Sequence, residues 1–154
     1  MEQFAPKYTE DTEQQAVIRW AAFQSGGWPE LENLYHVPNE GKRGKKAAGM
    51  AKALGLKAGV PDLILDYPKG IYHGLRIEMK VMPNRPTQSQ LEWMQRMQDA
   101  GYMVAICYDS ESAIALITEY IKLTAGEGLH LPLHSKYKIP ALKHQSSKLE
   151  RKQK

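Results

Sequence analysis

The sequence predicts a single α/β domain in which helices and strands alternate, and three observations carry that prediction. The chain has 154 residues, enough for one domain with a real core and too few for two ordinary ones. From Leu75 to Val81 apolar and polar side chains alternate without a break, Leu75, Ile77, Met79 and Val81 against Arg76, Glu78 and Lys80, which is the period of a strand. A capped helical stretch and a second apolar strand, Tyr102 to Cys107, come next. Strand, helix and strand in succession make a βαβ unit, whose strands should be parallel and whose crossover should be right-handed.

The other elements follow in order. Thr12 with Gln15 three residues later reads as a capping box that opens a helix to about Phe23, with Glu13, Val17, Trp20 and Gln24 on one side. Ser25 to Pro29 ends it. Leu34 to Val37 reads as a strand stopped by Pro38 and Asn39. Between Gly44 and Gly55, the apolar residues Ala47, Ala48, Met50, Ala51, Ala53 and Leu54 suggest a helix. Gly59-Val60-Pro61 sets an extended approach to Asp62, and Leu63-Ile64-Leu65 is the most apolar short strand. After Val81, Pro83 and Pro86 interrupt the chain. Thr87 and Gln90 then form a second capping box on a helix that turns Leu91, Met94 and Met97 inward and closes at Gly101. Asp109 or Ser110 caps a last helix to about Leu123, with Ile114, Ile117 and Ile121 as its apolar row. The domain is expected over 1–125, and 126–154, with Pro132, Pro140 and many lysines, as a basic, weakly ordered arm.

Charge is unevenly spread. The net charge is +4, yet residues 40–57 hold six bases (Lys42, Arg43, Lys45, Lys46, Lys52, Lys57) against Glu40 alone, and 136–154 hold seven against Glu150 alone. The remainder is acidic. Two basic appendages on an acidic body suit a polyanionic partner, since each phosphate neutralised by Lys or Arg releases counterions whatever the base sequence. A solvated surface segment with a basic tail is the plainer alternative. No apolar run approaches a membrane span, and Met1 to Ala22 lacks the basic-then-apolar order of a secretory signal, so a cytoplasmic protein with no membrane partner is expected. Cys107, the one cysteine, lies in an apolar run and reads as a buried, inert thiol. No glycine-rich phosphate loop follows a strand, so no nucleotide cofactor is expected. His130 and His134 are separated by Pro132 and lack supporting ligands, which argues against zinc. Trp20, Trp28 and Trp93 fall on different elements and read as packing residues rather than a base-stacking platform.

The chemistry concentrates on two strands. Asp62 stands at the mouth of one, and Glu78 and Lys80 project from one face of the next, with Cα atoms about 6.6 Å apart. Taken alone, Glu78 and Lys80 are polar residues on the wet face of an amphipathic strand, and Asp62 a turn residue after proline. Taken together, two converging carboxylates would repel unless a cation intervened, and a hard divalent ion such as Mg²⁺ satisfies carboxylate oxygens while keeping waters for a substrate.

Pro61-Asp62 with Glu78-Met79-Lys80 resembles the signature of the PD-(D/E)xK nuclease superfamily. More blocks agree: His36-Val37-Pro38-Asn39-Glu40-Gly41-Lys42-Arg43, Gly59-Val60-Pro61-Asp62-Leu63, Glu78-Met79-Lys80, and Pro86-Thr87-Gln88-Ser89-Gln90 with the helix to Gly101-Tyr102. In that order and spacing they resemble the VRR-NUC family, especially its small stand-alone phage and bacterial members. The resemblance implies a restriction-endonuclease-like core, a mixed central sheet flanked by helices, and a phosphodiesterase dependent on Mg²⁺ or Mn²⁺. It further implies a homodimer acting on branched DNA such as four-way (Holliday) junctions. Asp62 and Glu78 would be metal ligands, with the Met79 carbonyl as a third. Lys80 would orient the water and the scissile phosphate. Glu13 would hold a metal-bound water or a second ion, although its place in a first helical turn also suits the helix dipole. Gln90 would orient Lys80 or a phosphate, in competition with its capping role. Asn39, Lys42 and Arg43 would contact the DNA backbone, with Lys45, Lys46 and Lys52 beside them. Two other readings remain open: a flap- or nick-type nuclease without junction preference, and an inactive nucleic-acid-binding module of the same fold.

Overall fold

A computed structural model describes residues 8–38, 44–129 and 137–138. Its elements are α1 (Glu10–Gln24), a 3-10 turn (Pro29–Asn33), β1 (Leu34–His36), α2 (Lys45–Ala53), β2 (Leu63–Leu65), β3 (Leu75–Met79), α3 (Gln88–Asp99), β4 (Met103–Cys107), α4 (Ser110–Ile121) and β5 (Tyr137–Lys138). The sheet runs β1-β2-β3-β4-β5. Only β3 and β4 are parallel, the pair joined through α3 as the βαβ pattern requires, and the other neighbours are antiparallel. The sheet is therefore mixed and flanked by helices, as expected.

Alternation along β3 sorts its side chains between two layers. Leu75, Ile77 and Met79 join Val17 and Ala21 of α1 and Leu116, Ile117, Tyr120 and Ile121 of α4 in the main core. On the opposite face, Met94 of α3 packs on Val104 and Ile106 of β4, and Ile106 lies beside Glu78 in the register. Neither face is wet. Arg76, Glu78 and Lys80 are all buried, which overturns the reading of these residues as the solvent side of an amphipathic strand. A covering helix, which periodicity within one strand cannot reveal, makes the difference.

Several local expectations shift. The cap of α1 is Thr9, not Thr12: Thr9 Oγ1 accepts from Thr12 N at 3.1 Å, and Thr12 Oγ1 answers by accepting from Thr9 N at 2.9 Å. A hydroxyl can serve either position of such a box, so the start moves up one turn. β1 and β3 stop short of Val37 and Val81. Leu91 is exposed although Met94 is buried, and Ile114 is only half-buried. Helix α2 forms where expected but buries none of its residues. Asp109, one of the two expected caps, caps α4 by accepting from Ser112 N at 2.8 Å. Trp20 and Trp28 pair against the core with centroids 6.5 Å apart, whereas Trp93 lies under Arg96, outside it. Cys107 is fully buried, and burial pushes its thiol far above the ordinary range. Within the expected C-terminal arm, Leu129 packs against the core and Tyr137–Lys138 pair with β4; 130–136 and 139–154 lie outside the described residues. No helix among the described residues is long and apolar enough to cross a membrane.

Candidate active site

The register Leu63↔Ile77, carried one residue further, sets Asp62 opposite Glu78 on the face covered by α3. Such directly opposed residues have Cβ atoms about 5 Å apart. Asp62 is buried and fixed at both its side chain and its main chain. Its Oδ2 accepts from Met79 N at 2.9 Å. Its main-chain carbonyl accepts from Val37 N and from His36 Nδ1, each at 2.9 Å. Since a carbonyl only accepts, His36 carries its proton on Nδ1. The edge strand β1 thus clamps the backbone of the acid.

Glu78 is 1% exposed. Its Oε1 accepts from Lys80 Nζ at 2.8 Å and from Gln90 Nε2 at 2.6 Å, while its Oε2 is buried with no hydrogen-bond partner among the described residues. Burial and then the nearby Asp62 charge push its carboxyl up to about 8, against the pull of Lys80. For Lys80, burial opposes the charge. The hydrogen bond to Glu78, with the charges of Glu78, Glu10 and Asp62, outweighs burial and holds the amine above the usual lysine value.

Gln90 performs two tasks that seemed exclusive in the sequence. Its Oε1 accepts from Thr87 N at 2.8 Å to close the capping box, and its Nε2 donates to Glu78. A primary amide has an acceptor end and a donor end, so one side chain serves both. It reaches Glu78 itself rather than Lys80.

Gly59 makes this meeting of elements feasible. It has φ +85°, and a Cβ there would overlap the Ser89 carbonyl in the first turn of α3. The chain entering Asp62 therefore lies directly on the helix start that carries Gln90. Gly59→Ala is expected to cost about 2–4 kcal/mol, from left-handed strain and backbone overlap, and to lower activity by separating Asp62 from Gln90. Denaturant unfolding beside a cleavage assay checks both.

The remaining candidates fall elsewhere. Glu13 is buried, but its Oε2 accepts from Ser110 N at 2.5 Å, at the start of α4. The α1 acid that reaches the site is Glu10, whose Oε2 lies 3.8 Å from Lys80 Nζ. Nothing in the sequence distinguished Glu10 from its neighbours in that turn, and the grip of His36 on the Asp62 backbone was equally hidden. Lys45, Lys46 and Lys52 are exposed on α2. Asn39, Lys42 and Arg43 lie outside the described residues.

Among the described residues no group of three or more His, Cys, Asp or Glu side chains forms a metal cage. The donor set nonetheless fits a hard divalent cation. Such ions take one or two carboxylates and leave other positions to water and phosphate, and here two opposed carboxylates include a buried oxygen lacking a partner.

The VRR-NUC domain family matches residues 8–111. A solved structure described as a VRR_NUC domain protein is similar at TM-score 0.68 and 34% sequence identity, covering 82% of this chain and 100% of that one. No curated protein matches the chain.

Proposed function

The chain belongs to the VRR-NUC family, which implies a nuclease-type function, and from that premise we propose a divalent-metal-dependent endonuclease that hydrolyses phosphodiesters in branched DNA. The observation that carries the catalytic part is Glu78: fully buried, with one oxygen unpartnered, opposite Asp62 and bonded to Lys80. Asp62, Glu78 and the Met79 carbonyl would hold Mg²⁺ or Mn²⁺. When bound, such an ion neutralises charge on the phosphate and acidifies water.

The chain's own groups supply the rest. Gln90 and Lys80 fix the rotamer of Glu78, and the Met79 amide fixes that of Asp62. The Lys80 ammonium donates to a phosphate oxygen and orients the water for in-line attack; as the bond from water to phosphorus forms, that to the leaving oxygen breaks. Glu13 would act there only by giving up Ser110. No acid interrupts the sequence between Glu40 and Asp62, so α2 and the segment before it offer Lys45, Lys46 and Lys52, with Asn39, Lys42 and Arg43, to flanking phosphates. Two cuts in a branched substrate call for two sites, hence a symmetric homodimer, expected at twice 17.4 kDa in solution.

Labelled four-way junction, flap and linear duplex, incubated in Mg²⁺, Mn²⁺ or EDTA, test the reading beside Asp62→Asn. Metal-dependent cutting that the variant loses is expected, with the junction cut fastest. Equal rates on all three DNAs would leave a nuclease without junction preference, and cutting in EDTA would remove the proposed centre.

A further inference from the structure

Side chains of two adjacent β1 residues pin the segments that flank β2. After β2, the Tyr35 hydroxyl donates to Asp66 Oδ2 at 2.8 Å; before it, the His36 Nδ1–H donates to the Asp62 carbonyl at 2.9 Å. The Tyr35 pin belongs to a structural network, since Asp66 also pairs with Arg76 at 3.1 Å and Arg76 lies 4.4 Å from the centre of the Tyr102 ring. The His36 pin instead grips the main chain of the acid itself. His36 is exposed, so its ring adds little to the core, and Val37 N already donates to the same carbonyl. Continuing the ladder therefore leaves this second bond unexplained.

The chain around Asp62 supplies a reason. Asp62 stands just outside a strand of three residues and follows Pro61, which has no N–H to donate. The strand that holds it, β1, is itself a three-residue edge strand, and such ends open readily. A carbonyl oxygen has two lone pairs. With Val37 and His36 both donating to it, the plane of the Asp62 peptide is fixed, and the carboxylate rather than the carbonyl is left to serve a cation. We propose that His36 is a positioning residue that holds the Asp62 peptide so that its carboxylate stays opposite Glu78, and that it thereby sets the affinity of the site for a divalent cation. This rests on the reading of Asp62 and Glu78 as metal ligands. Groups that orient a metal ligand govern affinity without touching the ion, and His36 does so through the main chain.

Three variants and two readouts test this. His36→Leu removes the donor; His36→Asn restores one, because an asparagine amide nitrogen and the imidazole Nδ1 stand at the same remove from Cβ. Tyr35→Phe is the control, deleting a hydrogen bond from the neighbouring residue to the far end of β2. One readout is the Mn²⁺ concentration that gives half-maximal thermal protection of the protein without DNA; the other is the Mn²⁺ concentration that gives half-maximal cleavage. His36→Leu is expected to raise both by about tenfold, the lower end of what such supporting groups contribute, with cleavage at saturating Mn²⁺ within about threefold of wild type. His36→Asn should recover most of the loss, and Tyr35→Phe should lower the melting temperature without moving either midpoint. Unmoved midpoints in His36→Leu, an equal shift in Tyr35→Phe, or no recovery in His36→Asn would overturn the proposal. A wild-type protein that Mn²⁺ neither protects nor activates would remove the metal centre and the role of His36 with it, and that outcome is read on the wild type alone.

Discussion

Glu78→Gln is expected to lower phosphodiester cleavage by at least about 10³-fold, equivalent to some 4 kcal/mol of transition-state stabilisation, while raising the melting temperature of the metal-free protein at pH 8. The two effects share a cause. The Glu78 carboxyl is buried, faces Asp62 and leaves Oε2 without a partner. An amide keeps the acceptor used by Lys80 and Gln90 and removes the charge. The sign follows from linkage: an unfolded Glu78 loses its proton near its ordinary value of 4.5, while the folded protein retains it up to about 8. Between those limits unfolding releases a proton, so this residue's contribution to stability falls as pH rises. Each tenfold in proton affinity is worth about 1.4 kcal/mol, which sets a ceiling of about 5 kcal/mol. The variant's advantage should thus be small near pH 5 and reach several degrees by pH 8. Added Mg²⁺ or Mn²⁺ should narrow the gap by stabilising the wild type alone. Melting curves from pH 5 to 9, with and without metal, read all of this; a variant less stable than wild type at pH 8 would contradict the charge frustration assigned to Glu78.

Lys80→Met should separate catalysis from metal binding. Loss of the ammonium removes the donor aimed at the phosphate, with an expected fall in cleavage of about 10²–10³-fold. Lys80 is not a metal ligand, so Mn²⁺ at pH 9 should still protect the folded protein from heat, as it should not in Glu78→Gln. Stability should respond to pH in the opposite sense to that of the glutamine variant. Without its cation Glu78 holds its proton more tightly, so the protein tolerates the change near pH 6 and weakens toward pH 9, where an unpaired buried carboxylate is costly. Protection by Mn²⁺ lost in both variants would make Lys80 part of the cation site itself.

Much of this was legible in the chain. The alternation of Leu75 to Val81 placed Glu78 and Lys80 on one face, Thr87 with Gln90 marked the start of α3, and the Pro-Asp and Glu-x-Lys blocks carried the family. These signals are local, set by the period of a strand, by which side chains can cap a helix, and by a string of residue types in order. What such signals omit is which local feature faces which. Thr9 and Thr12 both fit a cap, and only the chain path chose Thr9. Glu10 and Glu13 occupy one helical turn, and only packing sent Glu13 to Ser110 and Glu10 to Lys80.

The sequence by itself determined the types of the four helices and of β1 to β4, the βαβ order and the identity of the acids and amine, but not the 3-10 turn or β5. The tertiary structure alone decided that α3 covers Glu78, that Gly59 lets the Asp62 turn lie against Ser89, and that Glu10 meets Lys80. The physical reason is range: hydrogen-bond periodicity and capping act within a few residues, whereas burial, and the shift it imposes on a carboxyl, depends on groups tens of residues away that meet only when the layers pack.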